Sequence, residues 1–336
     1  MKNYARDLLL LIFSVVFLSN CQGNGKEGSL QPSCSLEEGS RICPRDKFFD
    51  VAMVGGNSIW VVGESGVILR SEGGDIKWER QKSNTDEDLY AAKFVDKDNG
   101  WVVGAAGTIL HTSDGGKTWE KQESNQKNDL FNVDFIDAQQ GWVVGFYGTV
   151  LHTVDGGKRW EDQSLGRDVN LNCVCFVDAN EGWIGGEFGT VAHTSTGGTE
   201  WVDQKAGNVT IFGMRFADSR HGWAVGLLGT TLSTSDGGMN WVPQKSGTEN
   251  TLFDIAVSGN TAFSVGEKGT ILRLSLGKED EVIESVVLPR QTNQWLSGIA
   301  CLSGSNGGVC AVGSFGEILY STDEGATWVH KGLSLS

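Results

Sequence analysis

The sequence predicts an all-β fold, a seven-bladed β-propeller of four-stranded antiparallel blades, on three observations. The first is a repeat: the first glycine of a VGxxG-like stretch falls at Gly63, Gly104, Gly145, Gly186, Gly226, Gly266 and Gly313, spaced 41, 41, 41, 40, 40 and 47 residues apart. A fixed period of this size marks a repeat architecture and makes one domain of a chain long enough for two. The second is the texture of each copy, which reads as four short strands joined by hairpin-length loops, the unit of a propeller blade. The third is tryptophan: eleven of twelve occupy two repeat positions, Trp60, Trp101, Trp142, Trp183 and Trp223 in one, and Trp78, Trp119, Trp160, Trp201, Trp241 and Trp328 in the other. One large ring at a fixed place in every blade is what blade-to-blade packing requires.

From the N-terminus, residues 1–20 read as a lipoprotein-type signal peptide. Lys2 and Arg6 precede an eleven-residue apolar run, Leu8 to Leu18, too short to span a bilayer. The run ends Leu18-Ser19-Asn20-Cys21, which resembles the lipobox of bacterial lipoproteins, although Asn20 stands where a small residue is usual. Cys21 is the expected lipidation site, which would hold the chain at the periplasmic or outer surface of a bacterial membrane without spanning it. A soluble exported protein is the alternative. Residues 21–47 then form a polar tether and N-terminal loop, and the propeller occupies 48–336. Six cysteines remain after Cys21, an even number in an exported chain. Cys34 with Cys43, and Cys301 with Cys310, are candidate disulfides; Cys173 and Cys175, two apart on one strand, are left unassigned.

Within a blade, the second copy shows the order of elements. "LYAAKFVD" (89–96) alternates as an inner strand, "WVVG" runs to a tight turn closed by Gly107, "TILHT" returns, and "DGGKT" turns into "WEKQ". The 47 glycines supply the turns, and four prolines are too few to interrupt the strands.

The turns "TSDGGKTW" (112–119) and "STDEGATW" (321–328) match the Asp-box of bacterial neuraminidase-type repeats, with weaker copies at 71, 153, 194 and 234 and none in blade 6. Asp114, Asp155, Asp236 and Asp323 are expected to close these turns by accepting backbone N–H bonds. Carboxylates dispersed over separate blades cannot converge on one substrate. The same distance argument excludes zinc at His111, His152 and His193, which share one position in three successive blades. Packed sheets lie ~10 Å apart, whereas ligands of one metal lie within ~3 to 4 Å of one another. No cofactor or metal site is expected, nor a nucleophile with its base.

The loops between second and third strands share a face with the links between blades, and their two central residues sample it. Blades 3, 4, 5 and 7 place Phe146, Tyr147, Phe188, Leu227, Leu228 and Phe315 there, where turns ordinarily take Gly, Asn or Asp. Two dispositions are open to these side chains: an exposed partner-binding patch, or rings folded down onto the neighbouring link. "NTDEDL" (84–89), Glu64, Glu249 and Glu267 make blades 1, 2 and 6 of the same face acidic, so a partner with a basic rim and an apolar centre fits. The inner strands offer Asp50, Lys93, Asn132, Asp134, Cys173, Cys175, Arg215 and Asp254, a lining of mixed sign. Net charge is −15, or −16 once residues 1–20, with Lys2, Arg6 and Asp7, are removed. Such a surface repels phosphate backbones and excludes nucleic acid as a natural partner.

Seven copies of WxVGxxGTIL followed by an Asp-box turn, over about residues 48–332, resemble the photosystem II stability and assembly factor family. The resemblance implies a seven-bladed propeller on the lumenal or periplasmic side of a photosynthetic membrane, lipid-anchored in many bacteria, that holds an unassembled membrane subunit without catalysis. Family members are associated with an arginine-rich patch; here eleven arginines are scattered, with no repeat position holding more than two. A membrane protein or protein complex is therefore the expected partner. A carbohydrate-active or glycan-binding propeller is the alternative, since the Asp-boxes also resemble those of sialidases. That alternative needs three arginines around a carboxylate, and only Arg215 falls on an inner strand.

Overall fold

The structure, a computed structural model, describes residues 46–55, 58–72, 76–276, 282–302 and 308–331. Cys21, Cys34 and Cys43 lie outside these residues. Seven four-stranded antiparallel sheets follow one another, each made of four consecutive strands. Blade 1 comprises β1 (Phe48–Val54), β2 (Ser58–Gly63), β3 (Ile68–Ser71) and β4 (Glu79–Gln81). The first strands of successive blades touch in a closed circle, with β1 against Leu296–Cys301 of blade 7. Among the described residues the ring closes without strand exchange: Ser297 donates to the Phe48 carbonyl (2.6 Å), Trp78 Nε1 to the Lys331 carbonyl (3.0 Å) and the Gly316 N–H to the Asp46 carbonyl (2.7 Å).

The tryptophan positions hold the blades together through a repeated three-ring stack. Trp60, Trp101, Trp142 and Trp183, all fully buried, lie flat on Phe94, Phe135, Phe176 and Phe216 of the next blade, with centroids 3.5–3.7 Å apart. Each phenylalanine in turn meets Trp119, Trp160, Trp201 or Trp241 of its own blade edge-on. The glycine that opens the second strand in blades 2 to 5 is required here, because a Cβ on Gly141 would sit 2.4 Å from the Phe135 ring.

Hydrogen bonds reinforce each stack. Trp60 Nε1 and Gln81 Nε2 both donate to the Gly115 carbonyl in the next blade's Asp-box loop (3.3 and 3.1 Å), and Trp119 Nε1 donates to Gln81 Oε1 (3.2 Å). Gln122 and Gln204 repeat the clasp on the Gly156 and Gly237 carbonyls. Blade 6, which lacks the box, has a longer outer hairpin, Ile271–Leu276 with Val282–Val287. Trp223 of blade 5, whose indole faces that blade, has no hydrogen-bond partner for Nε1 among the described residues.

The expected Cys301–Cys310 disulfide is not formed. Cys301 pairs with Val309 and Cys310 with Ala300, so the two are offset by one residue and leave opposite faces of the sheet. Cys310 packs among blade 1 residues, Cys301 against the blade 6 side, and both are free thiols. Cys173 and Cys175 are likewise free and buried.

Candidate partner-binding face

Every second-to-third strand connection is a single 3-10 turn of three residues. The first residue tucks under: its N–H donates to the carbonyl just before its own blade's first strand, as Phe146 does to Asp129 (3.1 Å) and Leu227 to Thr210 (3.0 Å). The second is left-handed in all seven turns, with φ between 52° and 60°, and exposed. The third is a glycine; at Gly229, φ is +70° and a Cβ would lie 2.0 Å from the Thr248 carbonyl oxygen.

The two residues of each tip therefore have different fates. Phe146 is half-buried against Phe131, with centroids 4.7 Å apart, and Leu227 is half-buried as well. Tyr147, Phe188, Leu228 and Phe315 stand out with 51, 62, 69 and 51 % of their surface exposed. Tips 3, 4 and 5 are consecutive, while Lys268 separates Phe315 from Leu228. A left-handed conformation disfavours a bulky L-residue by about 1 kcal/mol or more, so four large exposed side chains there burden the turn rather than build it.

Inside the tips lies a second set of rings that the sequence reading did not single out. The inner strand of every blade carries a β-bulge immediately after its first residue, at Phe49, Tyr90, Phe131, Asn172, Phe212, Phe253 and Ser297. A bulge re-aims the extra side chain out of the alternating pattern. Phe49, Tyr90 and Phe131 follow one another at 5.5 and 5.8 Å, and Phe131 continues through Phe146 to Tyr147. Phe212, Phe253 and Trp295 form a second arc at 5.8 and 5.6 Å. Asn172 and Ser297 interrupt this collar and bond instead to carbonyls of the next blade, at Ile211 and Phe48. The available signal was a pair of large apolar residues opening an otherwise alternating strand.

Carboxylates border the collar. Asp88 and Asp129 accept the tip N–H groups of Ser65 (2.8 Å) and Ala106 (3.0 Å), and the Tyr90 hydroxyl donates to Asp129 Oδ2 (3.4 Å). Burial, then Asp129, Asp88 and Glu87, raise the Tyr90 phenol above its ordinary range.

Deeper on the axis, Asp50 and Asp254 each accept two backbone N–H groups, their own neighbour's and one from the next blade, Ala92 (2.9 Å) or Ile299 (3.0 Å). Asp134 does the same with Phe176 (2.8 Å) and pairs with Lys93 (2.7 Å). Enclosure by the blades, then the Asp254 charge, raises the Asp50 carboxyl to about 7, while N–H bonds and Arg215 oppose the shift. Burial works against the Arg215 charge, but the nearby acids, Asp254 foremost, outweigh it and raise its guanidinium above the ordinary range, and the side chain donates to the Met214 carbonyl (3.0 Å).

The Asp-box carboxylates turn inward on their own loops. Asp114 accepts from Thr112 (2.8 Å) and from the backbone and hydroxyl of Thr118 (2.9 and 2.7 Å); Asp155, Asp236 and Asp323 make the corresponding bonds to Thr153, Thr234 and Ser321. Slight burial lifts Asp114, but the Thr118 and Thr112 bonds outweigh it and bring the carboxyl to about 2. His111, His152 and His193 stack on Trp101, Trp142 and Trp183. Among the described residues no group of three or more His, Cys, Asp or Glu could hold a metal.

The model of the family described as photosynthesis system II assembly factor YCF48 matches residues 40–128 and 119–208. No curated protein matches. Among solved structures, the chain is similar to YCF48 bound to a D1 peptide (TM-score 0.67, 18 % identity, 84 % of this chain and 95 % of that one). It is similar to YCF48 from Cyanidioschyzon merolae (0.67, 16 %, 86 % and 99 %). It is also similar to an ancestral GH74 enzyme (0.66, 10 %, 88 % of this chain and 47 % of that one). At these identities the structural likenesses speak for the fold alone.

Proposed function

Because this chain belongs to the photosynthesis system II assembly factor YCF48 family, we propose that it is a non-catalytic binding propeller whose tip face receives a segment of a membrane protein and assists the assembly or stability of the complex containing it. One observation carries the reading: Tyr147, Phe188, Leu228 and Phe315 are large and exposed at a left-handed position that strains a bulky residue, and the same turn forms with Ser65 or Ala106 there. Backbone strain retained without benefit to the fold points to use at an interface, where aromatic and leucine side chains lose water on contact. The solved relative with a bound D1 peptide supports a peptide-like ligand for a propeller of this architecture. In this proposal the chain is exported and tethered by lipid at Cys21, which puts the tip face within reach of integral membrane proteins.

The test is photo-crosslinking in native membranes from Tyr147, with exposed Lys121 on an outer strand as control, read by mass spectrometry. We expect one dominant integral membrane protein from Tyr147 and background from Lys121. Equal capture at both positions sinks the tip face as the working surface. A Cys21→Ser variant that stays in the membrane fraction and differs in mass from the parent only by the exchange of sulfur for oxygen sinks the lipid tether.

A further inference from the structure

The collar and its carboxylates say which chemistry the face accepts. Between blades 1 and 3 the surface is a run of aromatic faces, Phe49, Tyr90 and Phe131, set directly beside Asp88 and Asp129. Both carboxylates are fixed in place by tip N–H groups, and Asp129 is additionally held by the Tyr90 hydroxyl. Fixed negative charge beside a row of tilted rings attracts a cation twice, through charge and through the ring quadrupole. The opposite side of the face, at Tyr147, Phe188 and Leu228, carries apolar bulk. An acidic partner segment would meet Asp88, Asp129 and Glu87 with like charge.

Resting on the reading of this face as the partner-binding one, we propose that the collar at Phe49, Tyr90 and Phe131 with Asp88 and Asp129 is a docking point for an arginine or lysine side chain. The occupant is a linear protein segment that places this cation on the collar and its large apolar neighbours on Tyr147, Phe188 and Leu228. The ring path Phe131, Phe146, Tyr147 joins the collar to the first of these apolar tips, so an extended segment can run from one to the other.

The experiment uses the exported chain and a fluorescein-labelled dodecapeptide carrying one arginine between two Leu-Phe pairs, alongside versions with citrulline or glutamate at that place. Citrulline keeps the shape of arginine and removes its charge. We expect the arginine form to bind at least tenfold more tightly than the citrulline form, and the glutamate form most weakly. In a double Asp88→Asn, Asp129→Asn variant, which retains an oxygen acceptor for each tip N–H, the arginine preference should fall to twofold or less. Phe131→Leu, close in volume without the ring face, should reduce it severalfold. Tyr147→Ser with Leu228→Ser should weaken all three peptides by a similar factor. Three peptides of equal affinity that all respond to the Tyr147 and Leu228 changes would overturn the cation docking point while leaving the tip-face reading standing. No binding of any peptide also overturns the docking point, and the crosslinking from Tyr147 then decides the tip-face reading by itself.

Discussion

Leu228 and its counterparts put a bulky side chain where the backbone prefers glycine or asparagine, and this separates what a residue does for folding from what it does for binding. Leu228 has φ 55° and 69 % of its surface exposed, so replacing it removes little packing. Asparagine tolerates the left-handed conformation. Leu228→Asn is therefore expected to leave stability unchanged or raise it by up to about 1 kcal/mol, measured by denaturant unfolding, while reducing partner capture. A loss of stability instead would show that the leucine packs for the fold. Phe146 behaves oppositely: it lies against Phe131, so Phe146→Ala should destabilise as well as disturb the collar. The candidate residues at the tips were legible because their type clashes with a turn's needs. Which of each pair faces out was not, because that depends on a hydrogen bond to a carbonyl some 17 residues earlier in the chain.

At the scale of elements, the four interfaces from blade 1 to blade 5 are stacks of rings reinforced by hydrogen bonds, and the missing Asp-box of blade 6 has a measurable echo in blade 5. Trp101 Nε1 donates to the Gly156 carbonyl (3.2 Å), whereas Trp223 Nε1 has no partner among the described residues. Phenylalanine removes a donor that is satisfied in the first case and orphaned in the second. Trp101→Phe should accordingly destabilise by about 1 kcal/mol more than Trp223→Phe in parallel unfolding titrations. Equal losses would mean that Trp223 is bonded outside the described residues. The tryptophan columns and box turns stood out in the sequence because they repeat at a fixed period. The clasp glutamines, Gln81, Gln122 and Gln204, repeat as faithfully, yet a lone polar residue on a short outer strand carries no signal of its target in the next blade. Cys301 and Cys310 misled for a related reason: their spacing suits a hairpin bridge, and only the register, offset by one residue, turns their thiols apart.

For the molecule as a whole, two populations of carboxyl groups pull stability in opposite directions as pH changes. Asp50 binds its proton more tightly folded than unfolded, with its carboxyl at about 7 against an ordinary 3.8. Its stabilising contribution is present at and below pH 3.8 and is lost as the pH rises through 7. The box carboxyls Asp114 and Asp323, brought down to about 2, contribute stability above their ordinary 3.8 and lose it as the pH falls toward 2. Stability should therefore be greatest in mildly acid solution. Asp50→Asn should raise the melting temperature at pH 8 relative to the parent and leave it nearly unchanged at pH 4.5. A larger loss at pH 8 than at pH 4.5 would instead show that Arg215 requires the charged form. The axial acids were visible in the sequence as polar residues on inner strands, but their bonds to the next blade appear only when the circle is closed.

That closure has a consequence for the order of the chain. Every blade is complete in itself, and blade 7 meets blade 1 through the same inner-strand contacts that join any other pair. Among the described residues no strand is borrowed across the seam, so the seam is topologically interchangeable with the six covalent links. The ring is in effect a cyclic word that can be read from any letter: circular permutants that join residue 331 to residue 46 and open any other link should keep the fold. Where the chain is cut is then free to follow where an attached tether is wanted rather than what the blades require.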